Sequence, residues 1–186
     1  KIAIENNLIT AQTKESYDIC FLGSSKFKDY MKNNYPENPG NIVDIQNGNI
    51  VGTHGGISKY TIGQRRGLNI GGKNGYEDNR WFVVKKDMNT NTIYVNCGEC
   101  DEMFSSACIV TEFNWILDEP NGEFDAVVKL RYRQSDQEIK VTVMDDKTLR
   151  LEFKTKQKAV TLGQFAVLYS EDGKCYGGGR ISELIK

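Results

Sequence analysis

Five cysteines and a single histidine carry most of the reactive chemistry open to this chain. Cys20 stands in "KESYDICFLG", between a polar run and an apolar one. A thiol so placed can fill a core, bind a metal or act as a nucleophile; Lys14 favours the thiolate there, while Glu15 and Asp18 oppose it. Cys97 and Cys100 form one CxxC. A structural zinc site takes four ligands, usually from two such pairs, and Cys20, Cys108 and Cys175 do not stand at spacings that complete it. Separate thiols and no metal are therefore expected. Cys108, inside an apolar strand pattern, should be buried, whereas Cys97 and Cys100 should be partly exposed at a strand end. A Ser-His-Asp or Cys-His hydrolase would have to use His54. With Gly55-Gly56 beside it and no GxSxG elbow in the chain, His54 reads as a hydrogen-bonded structural residue.

Two further stretches suggest phosphate chemistry. In "YTIGQRRGLNIGG", Gly63, Gly67 and Gly71 recur every four residues. That matches neither GxxxxGK[ST] nor GxGxxG, so a loop needing positive φ, with Arg65 and Arg66 solvated, is the plainer reading. In "KLRYRQ", a strand would put Lys129, Arg131 and Arg133 on one side and Tyr132 and Gln134 on the other. Three cations on one face can hold phosphates, with Tyr132 packing under a base or sugar. A solvated strand face is the other reading, and both stand at this point.

The elements that must position these residues are mainly strands. Residues 1–19 show little amphipathic pattern. "SSKFKDYMKNNY" reads as a short helix capped by Ser24 or Ser25, with Phe27, Tyr30 and Met31 on one face, ended by "PENPG". "NIVDIQNGNIVGTH" reads as a hairpin with Asn47-Gly48 as its tight turn, and "RWFVVKKD" with "TIYVN" as a second. After "DEMFSS", six strand-like stretches follow, from "ACIVTEFNWI" to "KCYGGGRIS", with turns at Asp145-Asp146 and Glu171-Asp172-Gly173. The expected fold is mainly β with a short helix: a central mostly-β domain, then a six-stranded antiparallel β-barrel. No internal repeat is evident.

Composition narrows the setting. The chain has 186 residues, a net charge of -1 and a sequence pI of about 6.0, which does not announce a nucleic-acid binder but leaves room for a local basic patch. No apolar run reaches membrane-span length and no secretory signal opens the chain, so a reduced cytoplasmic setting without membrane contact is expected. The first residue is Lys rather than Met, and the reading here is of a fragment or processed chain.

In order, "ICFLG", "GNIVD", "GTHGG", "YTIGQRRGLNIGG", "WFVVKKD", "LRYRQ", "AVTLGQFAVLY" and "GGGRI" resemble the C-terminal part of the tRNA-specific 2-thiouridylases. "YTIGQRRGL" is the most specific of them, and the resemblance runs over essentially the whole chain. It implies three parts: an N-terminal ATP pyrophosphatase domain, absent here since no SGGxDS-type loop occurs, a central domain and a barrel. Residues 1–23 then correspond to the tail of the missing domain and the catalytic-cysteine loop, 24–104 to the central domain, and 105–186 to a tRNA-binding barrel.

By the same resemblance, ATP bound in the missing domain adenylylates the C2 oxygen of the wobble uridine. Cys20 carries a persulfide whose sulfur attacks that carbon, and a cysteine of the missing domain can end in a disulfide with Cys20. Arg131, Tyr132 and Gln164 match residues that touch tRNA. A sulfur-donor protein, a cysteine desulfurase or a relay protein, is implied as a partner. The family often has "KDSTGIC" where this chain has Lys14-Glu15-Ser16-Tyr17-Asp18-Ile19-Cys20, so Tyr17 and Asp18 replace small residues. The alternatives are a barrel RNA-binding module without chemistry, which would not need Cys20, and a sulfur carrier without RNA binding, which would not need residues 129–134.

Overall fold

Ten strands are the main regular elements among the described residues of the computed structural model, which describes residues 2–13, 30, 33–35, 37–70, 80–117, 120, 122–131 and 134–186. Residues 1–37 and 38–186 form two compact units. The first contains a short helix, α1 (Ile2–Glu5), and a 3₁₀ turn (Ile9–Gln12). The helix expected from Ser24 or Ser25 falls largely outside the described residues. Within it Tyr30, Asn33 and Asn34 are helical, and the Asn34 amide donates to the Tyr30 carbonyl.

The second unit opens with a four-stranded sheet, in the order β2-β1-β4-β3, from β1 (Gly40–Asp44), β2 (Ile50–His54), β3 (Trp81–Asp87) and β4 (Thr92–Cys97). Both expected hairpins are present. The first is wider than a two-residue turn: Asp44 accepts from the Gln46 N–H and the Asn47 amide, and its own N–H donates to the Asn49 carbonyl. Gly48 takes the positive φ, 72°. A polar side chain that satisfies turn donors lets the loop lengthen without leaving backbone groups unpaired. Between the hairpins, β1 and β4 pair in parallel. Ile42, Val83, Ile93 and Val95 supply the fully buried centre, and Leu68 and Ile70 of the glycine-rich segment cover it.

The six remaining strands close a barrel in the order β10-β5-β8-β7-β6-β9. They are β5 (Phe104–Trp115), β6 (Glu123–Lys129), β7 (Gln137–Asp145), β8 (Thr148–Lys158), β9 (Phe165–Tyr169) and β10 (Cys175–Ile185). Alternation along each strand turns Val128, Ile139, Val141, Leu149, Leu151, Ala166 and Leu168 inward, where they fill the interior. A bulge in β5 breaks that alternation. Glu112 adopts φ 55° and pairs outside with Arg180 at 3.1 Å, which returns Phe113 to the core.

Candidate nucleic-acid interface on the barrel

The cation stripe expected on one strand does not form, because β6 ends at Lys129. The Leu130 N–H turns away from the ladder to donate to the Gln134 side-chain oxygen at 3.2 Å, and the Gln134 N–H closes a turn onto the Arg131 carbonyl at 3.0 Å. The Gln134 amide also donates to Gln157 on β8 at 3.1 Å. Leu130 is buried and Arg131 is exposed on the turn. Tyr132 and Arg133 lie outside the described residues, as does Cys20.

What replaces the stripe is a concavity of about 730 Å³ lined by Lys129, Leu130, Arg131, Gln164, Phe165, Val167 and Tyr169. Pairing of β6 with β9, with Lys129 opposite Val167 and Val127 opposite Tyr169, brings the two stretches together. Phe165, Val167 and Tyr169 share the outer face of β9, since Ala166 and Leu168 point into the barrel. The Lys129 ammonium stands 5.6 Å from the Tyr169 ring centroid and 3.3 Å from an Asp136 oxygen. The Arg131 Nη2 donates to the Ala159 carbonyl at 2.9 Å, which leaves other guanidinium donors for a ligand, since the group carries five. Arg131 and Gln164, two residues singled out from the sequence, thus line one surface.

The position of Gln164 rests on a turn that occurs twice. Thr61-Ile62-Gly63-Gln64 and Thr161-Leu162-Gly163-Gln164 share one backbone design, and each glycine has φ 81°. In each, the Gln N–H donates to the Thr carbonyl, at 3.0 and 3.3 Å. The Gly N–H donates to a strand carbonyl, Val83 at 2.8 Å or Ile181 at 2.9 Å, and that strand residue donates back to the Gln carbonyl. The side chains differ. The Gln64 amide is committed within its own loop, accepting from the Thr61 N–H and donating to the Arg66 carbonyl. The Gln164 amide makes no side-chain hydrogen bond among the described residues and faces the concavity. This recurrence was missed in the sequence, although the T-x-G-Q spacing itself was the available signal.

Thr61, Ile62, Thr161, Leu162 and Gln164 also line a second cleft, of about 680 Å³, where the four-stranded sheet meets the barrel. The two turns come close there: a methyl group on Gly63 would stand 2.7 Å from the Ala159 Cβ. In the glycine-rich segment the Gly63 and Gln64 N–H groups are bound within the protein and are not free to hold a phosphate. Arg65 and Arg66 are exposed, as expected.

His54 is structural. It is buried, its Nδ1 accepts from the Gly56 N–H at 3.1 Å, and its Nε2 stands 3.1 Å from the Asn91 carbonyl. A backbone N–H can only donate, so Nδ1 is unprotonated and Nε2 carries the proton. Burial holds the imidazole below its ordinary value, against the opposing pull of the Asn91 carbonyl. Among the thiols, Cys108 is buried and its pKa is pushed up to about 12 by that burial. Cys100, partly exposed, is pushed up to about 11 by burial and by Glu102, and Cys97 is raised by burial and by Asp44. Among the described residues no group of three or more His, Cys, Asp or Glu could hold a metal ion, and no helix is long and apolar enough to cross a membrane.

Residues 28–97 match the family described as the tRNA methyl transferase PRC-barrel domain, and residues 105–181 the aminomethyltransferase beta-barrel domain. The chain is similar over its full length to curated relatives that carry the name tRNA-specific 2-thiouridylase MnmA. Identity is 41% to that of Mycoplasma capricolum, covering 50% of the relative. It is 41% to that of Oceanobacillus iheyensis, covering 49%, and 42% to that of Hahella chejuensis, covering 51%. The chain spans about half the length of the curated relatives it matches.

Proposed function

The chain belongs to the tRNA-specific 2-thiouridylase family, and we propose that it forms the C-terminal portion of a tRNA-uridine 2-sulfurtransferase. Residues 24–104 act as its central domain and 105–186 as its tRNA-binding barrel, with Arg131, Tyr132 and Gln164 on the RNA. The observation that carries this reading is the concavity shared by Arg131, Lys129 and Gln164. It combines cations for phosphates with an uncommitted amide.

Cys20 is the persulfide carrier. Its terminal sulfur attacks C2 of the wobble uridine once the C2 oxygen carries the adenylyl group of ATP, and that oxygen leaves with AMP as the carbon–sulfur bond forms. A second cysteine, outside this chain, then attacks the Cys20 Sγ; the sulfur–sulfur bond breaks, sulfur stays on the base and the two cysteines are left as a disulfide. ATP binding belongs to the part of the longer protein outside this chain, and a cytoplasmic cysteine desulfurase or relay protein supplies the sulfur. The chain by itself should therefore bind tRNA without thiolating it at any ATP concentration.

The test is made in the full-length protein, with nucleoside mass spectrometry of the tRNA after incubation with ATP and a sulfur donor. Cys20→Ser should abolish 2-thiouridine, while Cys97→Ser and Cys175→Ser should leave it in place. Thiolated tRNA formed by the Cys20→Ser protein at near the wild-type rate would overturn the mechanism.

A further inference from the structure

The cleft of about 680 Å³ where the four-stranded sheet meets the barrel is large enough for a small organic molecule. Its walls are mainly apolar, with Ile45, Ile62 and Val84 on the sheet side and Met103, Val160 and Leu184 on the barrel side. Met88 and Leu162 also line it and remain 67% and 56% exposed, so the apolar lining runs out to solvent. The charged side chains of the lining are Lys85, Lys86, Lys186 and Glu102. Lys85 stands over the Tyr94 ring, 5.6 Å from its centroid. The Glu102 carboxyl is held below its ordinary value by its own backbone N–H, the Cys100 thiol and Lys186, so Lys186 and Glu102 answer each other. Lys86 is different. It is half-buried, and its ammonium donates to the Tyr60 carbonyl at 2.8 Å. Burial lowers its pKa, and no neighbouring carboxylate among the described residues raises it. An ammonium carries three hydrogens, so two are left for a ligand. A half-buried cation without a counter-charge gains from an anion brought against it in the same low dielectric.

We propose that this cleft binds a small monoanion with an apolar body, a carboxylic acid of the fatty-acid or aryl-acid kind, whose body lies between the apolar walls and whose carboxylate meets the Lys86 ammonium. The hydrogen bond to Tyr60, itself a lining residue, holds that ammonium at the cleft before any ligand arrives, which lowers the ordering cost of binding. A phosphate ligand fits less well. The N–H groups of Gly63, Gln64, Gly163 and Gln164, on the two turns that border the cleft, are all bound within the protein, so no cradle of backbone donors is offered to a dianion. A neutral apolar ligand would fill the walls but leave Lys86 without a counter-charge. Neither Arg131 nor Lys129 takes part, so the site stands whether or not the barrel binds RNA.

The experiment uses the 186-residue chain with octanoate and 1-octanol, which share a carbon count and differ in charge. Calorimetric titration at neutral pH should show saturable binding of octanoate, with octanol bound about tenfold more weakly because it lacks the charge-assisted hydrogen bond. Lys86→Met, which keeps the bulk of the stem, should weaken octanoate about tenfold and leave octanol as it was. Lys86→Arg should keep the preference for octanoate. Leu162→Glu, at an exposed position, should weaken both probes, because it puts a carboxylate into the apolar wall. Absence of saturable binding, equal affinity for the two probes, or octanoate binding that Lys86→Met leaves unchanged would overturn the inference. Self-association of the free chain that Leu162→Glu abolishes, read by sedimentation, would also overturn it, since a second copy would then be the occupant. The comparison of the two probes on the wild-type chain needs no variant, and unchanged melting temperatures separate lost binding from lost structure in the others.

Discussion

The Arg131 guanidinium donates to the carbonyl of Ala159 at 2.9 Å, and Ala159 holds φ 55° in the left-handed region. An alanine there is strained, and it sits against Gly63 of the four-stranded sheet's covering loop. The arginine that lines the concavity is thereby anchored where the sheet's loop meets the barrel. Its aim depends on the packing of Gly63 as well as on its own turn.

Replacing Arg131 with Ala should weaken tRNA binding and reduce the slope of log affinity against log salt by about one. Arg131→Lys should keep most of the slope, because the charge remains, but lose affinity, because an ammonium cannot bond Ala159 and a phosphate with the fixed fork of a guanidinium. A titration over a range of salt concentrations distinguishes the two. An unchanged slope in Arg131→Ala would remove this residue from the site.

The two T-x-G-Q turns make a matched pair for mutation. Gly63 and Gly163 have the same φ of 81°, but a Cβ on Gly163 meets nothing within 4 Å, while one on Gly63 meets the Ala159 Cβ at 2.7 Å. Gly163→Ala should cost only the left-handed penalty, about 1–2 kcal/mol. Gly63→Ala should cost about 1–3 kcal/mol more, because the chain must also relieve a backbone-mounted clash. Urea unfolding of the two variants checks the difference, and equal losses would contradict the clash.

Stability should fall with acidification below about pH 6.5 through His54. Its folded pKa lies below the ordinary 6.5, so above that value the ring is neutral in both states and contributes nothing. As pH falls through it, the unfolded chain takes up a proton that the folded chain refuses, and unfolding is favoured. Asp87, Glu112 and Glu123, whose pKa values are held down by hydrogen bonds and neighbouring charges, act at lower pH, through the ordinary carboxylate range. His54→Gln should therefore flatten the pH dependence that sets in below about pH 6.5. It should also lower stability throughout by about 1–3 kcal/mol where the Gly56 and Asn91 partners are left unpaired.

Thiol labelling by iodoacetamide at neutral pH should be ordered by ionisation. Cys108, buried and with its pKa at about 12, should stay unlabelled until the chain unfolds, and Cys100, at about 11, should react slowly. If Cys20 serves as the sulfur carrier it should be labelled ahead of both. Mass spectrometry of peptides over a time course reads the order, and labelling of Cys100 before Cys20 would count against the assignment.

Sequence by itself determined what depends on neighbours along the chain. The six barrel strands and both hairpins follow from period-two alternation and from turn residues such as Asp145 and Gly173, whose backbone and side-chain needs are local. The structural role of His54 and the burial of Cys108 were legible for the same reason. Tertiary structure decided what depends on partners far apart. The parallel pairing of β1 with β4 and the closure of the barrel through β6 and β9 leave no local mark in a strand. The end of β6 at Lys129 was set by Gln134 and Gln157 drawing the turn toward β8. That is why alternation alone extended the strand through Arg133. The recess itself exists only once Arg131, Ala159 and Gln164 meet, because hydrogen bonds and packing act through space while periodicity records only the face each residue takes within its own strand.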